Sequence, residues 1–130
     1  FVANKMVKLL INKGNAIKGS RALLLGITFK ENCPDIRNSK VAKIAKELDG
    51  FGMKVDVYDP WANAFEVQHE FGINLLKTIP SAGEYDAIVL TVAHAQFLSM
   101  DIRALLKDAE KSVVYDLKGI LDRSWVDARL

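Results

Sequence analysis

The loop from Gly26 to Ser39 carries the residues best suited to chemistry in this chain. Its sequence, GITFKENCPDIRNS, contains two cations, Lys30 and Arg37, and the carboxylate of Asp35. Two cations in one polar loop can bind an anion, and the planar guanidinium of Arg37 suits a bidentate partner. From composition alone, an exposed pair between Arg37 and Asp35 or a helix end is the favoured interpretation. The loop is therefore a candidate anion site whose arginine has a competing surface role.

A predicted buried strand precedes this loop, and a predicted helix follows it. Ala22 to Leu25 is a short apolar run of the kind buried in parallel sheets, and Ser39 can cap a helix that begins near Lys40. One face of that helix is apolar, and it contains Val41, Ile44, Ala45 and Leu48. In doubly wound sheets, ligands bind where a strand crosses to a helix at the carboxyl edge of the strands.

The loop lacks the glycines of a dinucleotide-binding fingerprint. That fingerprint needs three glycines around the first turn, so that the backbone can approach a pyrophosphate at a helix amino end. Only Gly26 is present here. A phosphate would therefore have to be held by side chains, and Lys30 and Arg37 are the candidates.

The rest of the chain alternates predicted helices and strands. We expect a helix at 1–12 ended by Gly14 and Asn15, and then, in chain order, a strand at 54–58, a helix at 62–71, a short strand at 73–75, a strand at 87–92, a helix at 102–109 and a strand at 112–116. Strands separated by helix-length segments require crossovers, which favour parallel pairing. The predicted fold is a three-layer α/β sandwich with a mostly parallel, Rossmann-like sheet.

Length and composition fit one domain of this type. The chain has 130 residues, of which 50% are hydrophobic and 26% charged, which is enough for one sizeable core. A formal net charge of +2 is too small to indicate nucleic acid or a membrane surface as a partner. One cysteine excludes an internal disulfide, and no apolar run or signal-peptide pattern indicates membrane insertion or export. We expect a soluble, cytoplasmic protein.

The loop sequence resembles the signature G-[IL]-[TA]-F-K-x(4)-D-x-R-x-S, which opens the carboxyl-terminal, UDP-binding domain of the UDP-glucose/GDP-mannose dehydrogenase family. Similar segments follow in family order at 55–60, 85–90 and 113–116, so the resemblance covers nearly the whole chain. Within the family, the stretch ENCPDIRN is most similar to the branch that oxidises UDP-N-acetylhexosamines for surface polysaccharides such as Vi antigen.

The resemblance implies roles for five residues. It assigns Phe29 and Lys30 to the nucleotide sugar, with Lys30 stabilising an oxygen near the reacting carbon. It assigns Arg37 to NAD bound by another domain, with Asp35 orienting the loop. Lys118 falls where some family members present an arginine to the substrate, and a lysine keeps the charge but loses the bidentate fork. None of these residues is the nucleophile, because the catalytic cysteine of the family lies in the amino-terminal part.

The resemblance also implies a larger enzyme around this chain. Residues 1–15 would be the end of a central linker helix, and residues 16–130 the UDP-binding domain. The whole enzyme would use two NAD molecules to oxidise the C6 alcohol of a UDP-sugar to a carboxylate without releasing the aldehyde. Its partners would be the amino-terminal NAD-binding domain and a second copy in a homodimer. This piece alone would be inactive.

Three other residues have a functional interpretation and a structural one. Asp59 ends the second predicted strand, where many nucleotide-binding folds place a ribose-binding acid, but a turn aspartate before Pro60 is favoured. Cys33 could be a thiolate activated by neighbouring cations, although a small loop thiol is favoured. His94 follows a strand at the expected ligand edge, and a loop role and a ligand contact are equally expected. No grouping has metal-ligand spacing, so no metal site is predicted.

Two other classes of protein remain as alternatives. A stand-alone nucleotide-binding module would bind UDP without a partner domain. A response-regulator-like signalling domain could use Asp59 and Asp116 at strand ends, but it also needs an acidic cluster after the first strand. The chain has Gly-Ile-Thr at 26–28 instead, which disfavours that class.

Overall fold

The computed structural model describes all 130 residues. In chain order its helices and strands are α1 (Val2–Asn12), β1 (Arg21–Leu25), α2 (Val41–Gly50), β2 (Lys54–Tyr58), α3 (Ala64–Phe71), β3 (Ala87–Leu90), α4 (Ala95–Leu98), β4 (Val113–Asp116) and β5 (Ala128–Arg129). Short 3₁₀ turns lie at Ile102–Leu105 and Arg123–Trp125.

The strands form one parallel sheet in the order β2-β1-β3-β4-β5. Leu25 lies between Tyr58 and Leu90 in the sheet, and Leu90 in turn pairs with Asp116, so four strands end level with one another. The order reverses between β1 and β3, which makes their carboxyl ends the switch point where ligands bind in doubly wound sheets. The predicted Rossmann-like α/β fold is confirmed.

Side chains of β1 alternate between two apolar cores, one on each face of the sheet. Ala22 and Leu24 belong to the core under α1, α2 and α3. Leu23 and Leu25 belong to the other core, which α4 and the 3₁₀ turn at Ile102–Leu105 cover. All four side chains are fully buried. A strand buried on both faces explains the continuous apolar run in its sequence.

Helix α1 packs into the same core as the rest of the domain. Ala3, Met6 and Leu10 are fully buried, and their spacing places them along one side of the helix. The helix predicted at 1–12 is confirmed, and its apolar stripe is covered. The division of the chain at residue 15 stays a prediction.

Truncation of Leu10 tests how far α1 contributes to the stability of the domain. Because Leu10 is fully buried in the core, we expect Leu10→Ala to lower the free energy of unfolding by about 3 kcal/mol. Ile11 is the matched control, since it is 55% exposed on the same helix, and its replacement by alanine should cost less than about 0.5 kcal/mol. Urea unfolding measures both. Equal losses would show that α1 is not docked as described.

Two predicted elements are wrong. In place of a helix at 102–109, the chain forms a 3₁₀ turn that ends before an extended Leu106. Asp108 then accepts hydrogen bonds from the amides of Glu110 and Lys111, which favours a turn over a continued helix. No strand forms at 73–75. A single hydrogen bond from the amide of Leu76 to the carbonyl of Val57 joins this segment to β2, so there is no ladder.

Smaller differences concern ends and short elements. β3 ends two residues earlier than predicted, because the amides of Thr91 and Val92 both turn back to the carbonyl of Leu25. α4 and β5 were not predicted, since they contain only four and two residues. None of the helices has the length and apolar composition needed to cross a membrane.

Candidate functional site at the carboxyl edge of the sheet

Gly26 allows the chain to leave β1 in close contact with the segment after β3. Its φ is +106°, and a Cβ there would lie 2.5 Å from the Cβ of Val92. The Thr91 hydroxyl lies 2.7 Å from the carbonyl oxygen of Leu25 and 2.6 Å from that of Gly26, and donates to them. The only glycine of the loop therefore serves a close packing contact between neighbouring strand ends, as expected of a strained positive φ.

Asp59, at the end of β2, holds the start of the loop after β1. Its Oδ2 accepts hydrogen bonds from the backbone amides of Ile27 at 2.7 Å and Thr28 at 3.2 Å. Its Oδ1 accepts from the amides of Trp61 at 2.7 Å and Ala62 at 3.1 Å. The side chain is fully buried. Asp59 is therefore occupied by the backbone of two loops, which supports the turn interpretation over a ribose contact.

Burial and hydrogen bonding shift the pKa of Asp59 in opposite directions. Burial by itself raises the pKa of a carboxyl group. In Asp59 the hydrogen bonds from His94 and from the amides of Ile27 and Trp61 outweigh burial, and they lower its pKa below the usual 3.8. The carboxylate is therefore held in its charged form by the loops that it organises.

His94 packs beneath the loop that follows β1 and is fully buried. Its Nε2 lies 3.0 Å from Oδ2 of Asp59 and 3.1 Å from Oγ1 of Thr28. Its Nδ1 accepts a hydrogen bond from the backbone amide of Asn32 at 2.9 Å. An acceptor at Nδ1 and a carboxylate at Nε2 assign the Nε2–H tautomer. Of the two roles expected for His94, the structure supports the loop role.

Asn32 fixes the far end of the same loop segment. Its side-chain Oδ1 accepts from the amide of Ala95 at 2.9 Å, and its φ of +53° is one that asparagine tolerates. Between the two anchored ends, the hydroxyl of Thr28 donates to the carbonyl of Lys30 at 3.0 Å. The amide of Phe29 donates to the carbonyl of Asp35 at 2.7 Å. The segment 27–32 is thus bound to the protein at several successive residues.

This fixed segment presents Phe29 and Lys30 to solvent. Phe29 is 53% exposed, although it is a large apolar residue. Lys30 is also exposed, and no acidic group forms an ion pair with its ammonium. An exposed ring beside an unpaired cation, on a rigid loop at the switch point, can contact an anionic ligand without first breaking an internal ion pair.

Asp35 and Arg37 form the exposed pair that composition favours. The Arg37 side chain donates to both carboxylate oxygens of Asp35 at 3.0 Å, and its amide donates to Oδ1 at 2.8 Å. The hydrogen bond from Arg37 lowers the pKa of Asp35, and Asp35 raises the pKa of Arg37. Arg37 also lines a cavity of about 300 Å³ beside α3. Arg37 remains 85% exposed and can still meet a second group.

A second loop at the same edge is organised by Asp116, at the end of β4. This buried carboxylate accepts from the amides of Lys118 at 2.9 Å, Gly119 at 2.8 Å and Leu121 at 2.8 Å. Arg129 supports the loop from outside by donating to the Gly119 carbonyl at 2.7 Å. Lys118 is left exposed. With only β3 between β1 and β4, the two lysine-bearing loops begin about 10 Å apart.

Two further kinds of reactive or charged group are Cys33 and the lysines at the amino edge of the sheet. Cys33 is a free, partly buried thiol. Both nitrogens of His94 are already bound, so His94 is not free to serve Cys33 as a base. No group of three His, Cys, Asp or Glu side chains is arranged to hold a metal ion. A cavity of about 500 Å³ at the amino edge contains Lys18, Lys107 and Lys111, but it lies away from the switch point.

The sequence pointed to the exposed residues of the candidate site, and it did not predict the contacts among the buried residues beneath them. Phe29, Lys30, Asp35 and Arg37 lie on the loop after β1, and Lys118 lies on the loop after β4. The structure places both loops at one edge. The link from His94 to Asp59 and Asn32 was not predicted, because residues so distant in sequence give no local signal of contact.

Fold and site together define a doubly wound α/β domain with two lysine-bearing loops at the carboxyl edge of its sheet. Residues 23–123 match the model of the UDP-glucose/GDP-mannose dehydrogenase family, UDP binding domain. The chain is 46% identical over 133 residues to UDP-N-acetyl-D-glucosamine 6-dehydrogenase of Salmonella typhi. It is 44% identical over 131 residues to the protein of the same name from Pseudomonas aeruginosa. The chain belongs to the UDP-glucose/GDP-mannose dehydrogenase family, as its signature predicts.

The extent of these matches differs between this chain and its relatives. Each of the two alignments covers 100% of this chain but only 31% of the relative. The structure of UDP-D-ManNAc dehydrogenase from Pyrococcus horikoshii matches with a TM-score of 0.76 at 19% identity, over 98% of this chain and 29% of that one. The structure of NDP-N-acetyl-D-galactosaminuronic acid dehydrogenase from Methanosarcina mazei matches with a TM-score of 0.75 at 20% identity, over 96% of this chain and 27% of that one. At such identities these two structures support the fold alone.

Proposed function

We propose that this chain is the carboxyl-terminal UDP-binding domain of an NAD-dependent nucleotide-sugar 6-dehydrogenase. The substrate would be a UDP-N-acetylhexosamine, whose C6 alcohol is oxidised to a uronic acid for surface polysaccharide synthesis. The observation that carries the proposal is the unpaired ammonium of Lys30, on a fixed loop at the switch point, within the family signature. The curated relatives named above, at 46% and 44% identity, support the choice of sugar.

Phe29, Lys30 and Lys118 would bind the nucleotide sugar. The two lysines supply positive charge from loops about 10 Å apart, a span that a diphosphate with its sugar can bridge. Binding energy from the UDP, remote from C6, would hold the sugar in place for reaction. Lys30 would stabilise negative charge that develops on an oxygen near the reacting carbon. Lys30 therefore assists the reaction, while the nucleophile lies outside this chain.

The residues of this chain do not form a cradle for NAD. The single glycine of the loop is packed against Val92, so the backbone has no glycine-lined surface for a pyrophosphate. NAD, which accepts the hydride in such oxidations, would be held by an amino-terminal domain of the same protein. Arg37, which is exposed and oriented by Asp35, would reach across to it. The chain alone would then be inactive.

The proposal extends to the setting of the whole enzyme. The family resemblance supports a homodimer that works in the cytoplasm, with residues 1–15 as the end of a linker helix and residues 16–130 as the UDP-binding domain. The amino-terminal domain and the UDP-sugar would be its partners, and neither nucleic acid nor a membrane would be. Membership of the family and the composition of the chain support these features.

Calorimetric titration of this chain with UDP-N-acetylglucosamine, UDP and NAD tests the proposal. We expect the two uridine ligands to bind weakly and NAD to give no heat. Lys30→Ala should weaken binding by about tenfold or more, because a charge-assisted hydrogen bond is lost. Lys107→Ala, at the amino edge, is the matched control and should leave binding unchanged. Tight NAD binding, or equal affinities of Lys30→Ala and the unchanged chain, would contradict the proposal.

A further inference from the structure

Lys30 belongs to a loop segment whose position is set by two side chains from the segments that follow β2 and β3. Residues 27–32 pack around the buried pair of Asp59 and His94. Asp59 directly follows β2, and His94 lies between β3 and α4. Neither residue is exposed: Asp59 is 7% exposed as a residue and His94 not at all. A ligand at the surface of the loop therefore meets Lys30 and does not touch the pair.

The pair binds the segment on both sides of Lys30. On the amino side, Asp59 accepts the amides of Ile27 and Thr28. On the carboxyl side, Nδ1 of His94 accepts the amide of Asn32 at 2.9 Å. Nε2 of His94 lies within 3.1 Å of both Asp59 and Thr28, and the Thr28 hydroxyl reaches the carbonyl of Lys30 itself. A chain of hydrogen bonds thus joins the buried pair to the backbone of Lys30.

The two ring nitrogens of His94 make different hydrogen bonds. Nδ1 must keep its lone pair to accept from Asn32, and Nε2 must keep its proton to donate to Asp59. A phenylalanine would fill the same space but could do neither. An asparagine side chain can present an acceptor where Nδ1 lies, whereas a glutamine side chain can reach the place of Nε2. The two tasks are therefore separable by substitution.

We propose that His94 and Asp59 are positioning residues of the nucleotide-sugar site, which hold Lys30 in its binding orientation through the backbone of residues 27–32. The inference rests on the proposed function, because it assigns Lys30 to the ligand. It adds two buried residues to the site, each acting through Lys30.

A double-mutant cycle between His94 and Lys30 tests the inference in this chain. The probe is UDP-N-acetylglucosamine, and affinity is measured for the unchanged chain, His94→Phe, Lys30→Ala and the double variant. We expect His94→Phe to weaken binding by about tenfold in the unchanged chain and to have almost no effect once Lys30 is alanine. His69→Phe, on the exposed side of α3, is the matched control and should bind normally. An equal loss in both backgrounds, or unchanged binding by folded His94→Phe, would overturn the inference.

Hydrogen exchange at the Asn32 amide supplies a readout that needs no ligand. We expect this amide to be protected in the unchanged chain and in His94→Asn, and to exchange at least about tenfold faster in His94→Gln and His94→Phe. If His94→Phe does not fold, His94→Asn and His94→Gln decide by the same comparison. Absence of UDP-sugar binding by the unchanged chain would count against the proposed function, while the exchange data would still judge the role of His94. An unprotected Asn32 amide in the unchanged chain would overturn that role.

Discussion

Replacing Asp59 by alanine is expected to destabilise the domain by about 4 kcal/mol, because several buried donors lose their acceptor at once. The carboxylate accepts four backbone amides, from Ile27, Thr28, Trp61 and Ala62, and a hydrogen bond from His94. Urea unfolding measures the loss. A folded domain has only about 5–15 kcal/mol in total, so the variant should be only marginally folded.

An exposed aspartate provides the comparison for Asp59. Asp122 accepts the amide of Ser124 at 2.9 Å on the surface. Asp122 caps the 3₁₀ turn at Arg123–Trp125, so Asp122→Ala should cost about 1 kcal/mol at most, because water can replace the lost acceptor. If Asp59→Ala were as stable as Asp122→Ala, the central place of Asp59 in the two loops would be refuted.

The carboxylate of Asp59 also makes the free energy of unfolding depend on pH. The pKa of Asp59 is lowered in the folded chain from the usual 3.8, so its contribution is fully present above about pH 4. That contribution is lost as the pH falls through the lower folded pKa. Asp59→Asn removes the titrating group and leaves the other carboxylates in place. The acid-dependent part of the unfolding free energy should therefore be smaller in Asp59→Asn than in the unchanged chain.

Gly26→Ala is the second change with a large expected effect, and we expect it to cost about 4 kcal/mol. Two costs add at this position. An alanine at a φ of +106° is strained, and its Cβ would lie 2.5 Å from Val92 Cβ and 3.0 Å from the Val92 amide nitrogen. The backbone of one strand end would have to move away from the other. Because Lys30 follows on the same loop, UDP-sugar affinity should fall as well.

Gly14 separates the two costs. It has a φ of +87° and no atom within 4 Å of the place where a Cβ would stand. Gly14→Ala therefore reports backbone strain alone, which we expect to be about 1 kcal/mol. Thermal or urea unfolding compares the two variants. Similar losses would mean that contact between Gly26 and Val92 does not limit the approach of β1 and β3.

Local sequence patterns were sufficient for the main elements of the fold. The apolar run before Gly26 predicts a strand buried on both faces, and Leu23 and Leu24 are indeed buried on opposite faces. The segment at 54–58 is confirmed as β2. The segment at 102–109 was predicted as a helix, but its 3₁₀ turn ends at Leu105, and Asp108 then accepts hydrogen bonds from nearby amides.

The exposed residues of the candidate site could be predicted, whereas the contacts among its buried residues could not. Lys30 and Arg37 stand out as cations in a loop after an apolar strand. The segment that carries Lys30 is held by Asp59, 29 positions after Lys30, and by His94, a further 35 positions on. Only the strand order β2-β1-β3 brings these residues together. Pairing between strand ends is a property of the whole sheet, so a local pattern cannot contain it.

Amide chemical shifts can show where UDP-N-acetylglucosamine binds on this chain. We expect added UDP-N-acetylglucosamine to shift the amides of residues 27–32 and 117–119, at the carboxyl edge. Amides around Lys18, Lys107 and Lys111, at the amino edge, should stay unchanged. Shifts confined to that amino-edge cavity would contradict binding at Lys30, because they would place the nucleotide sugar at the opposite end of the sheet.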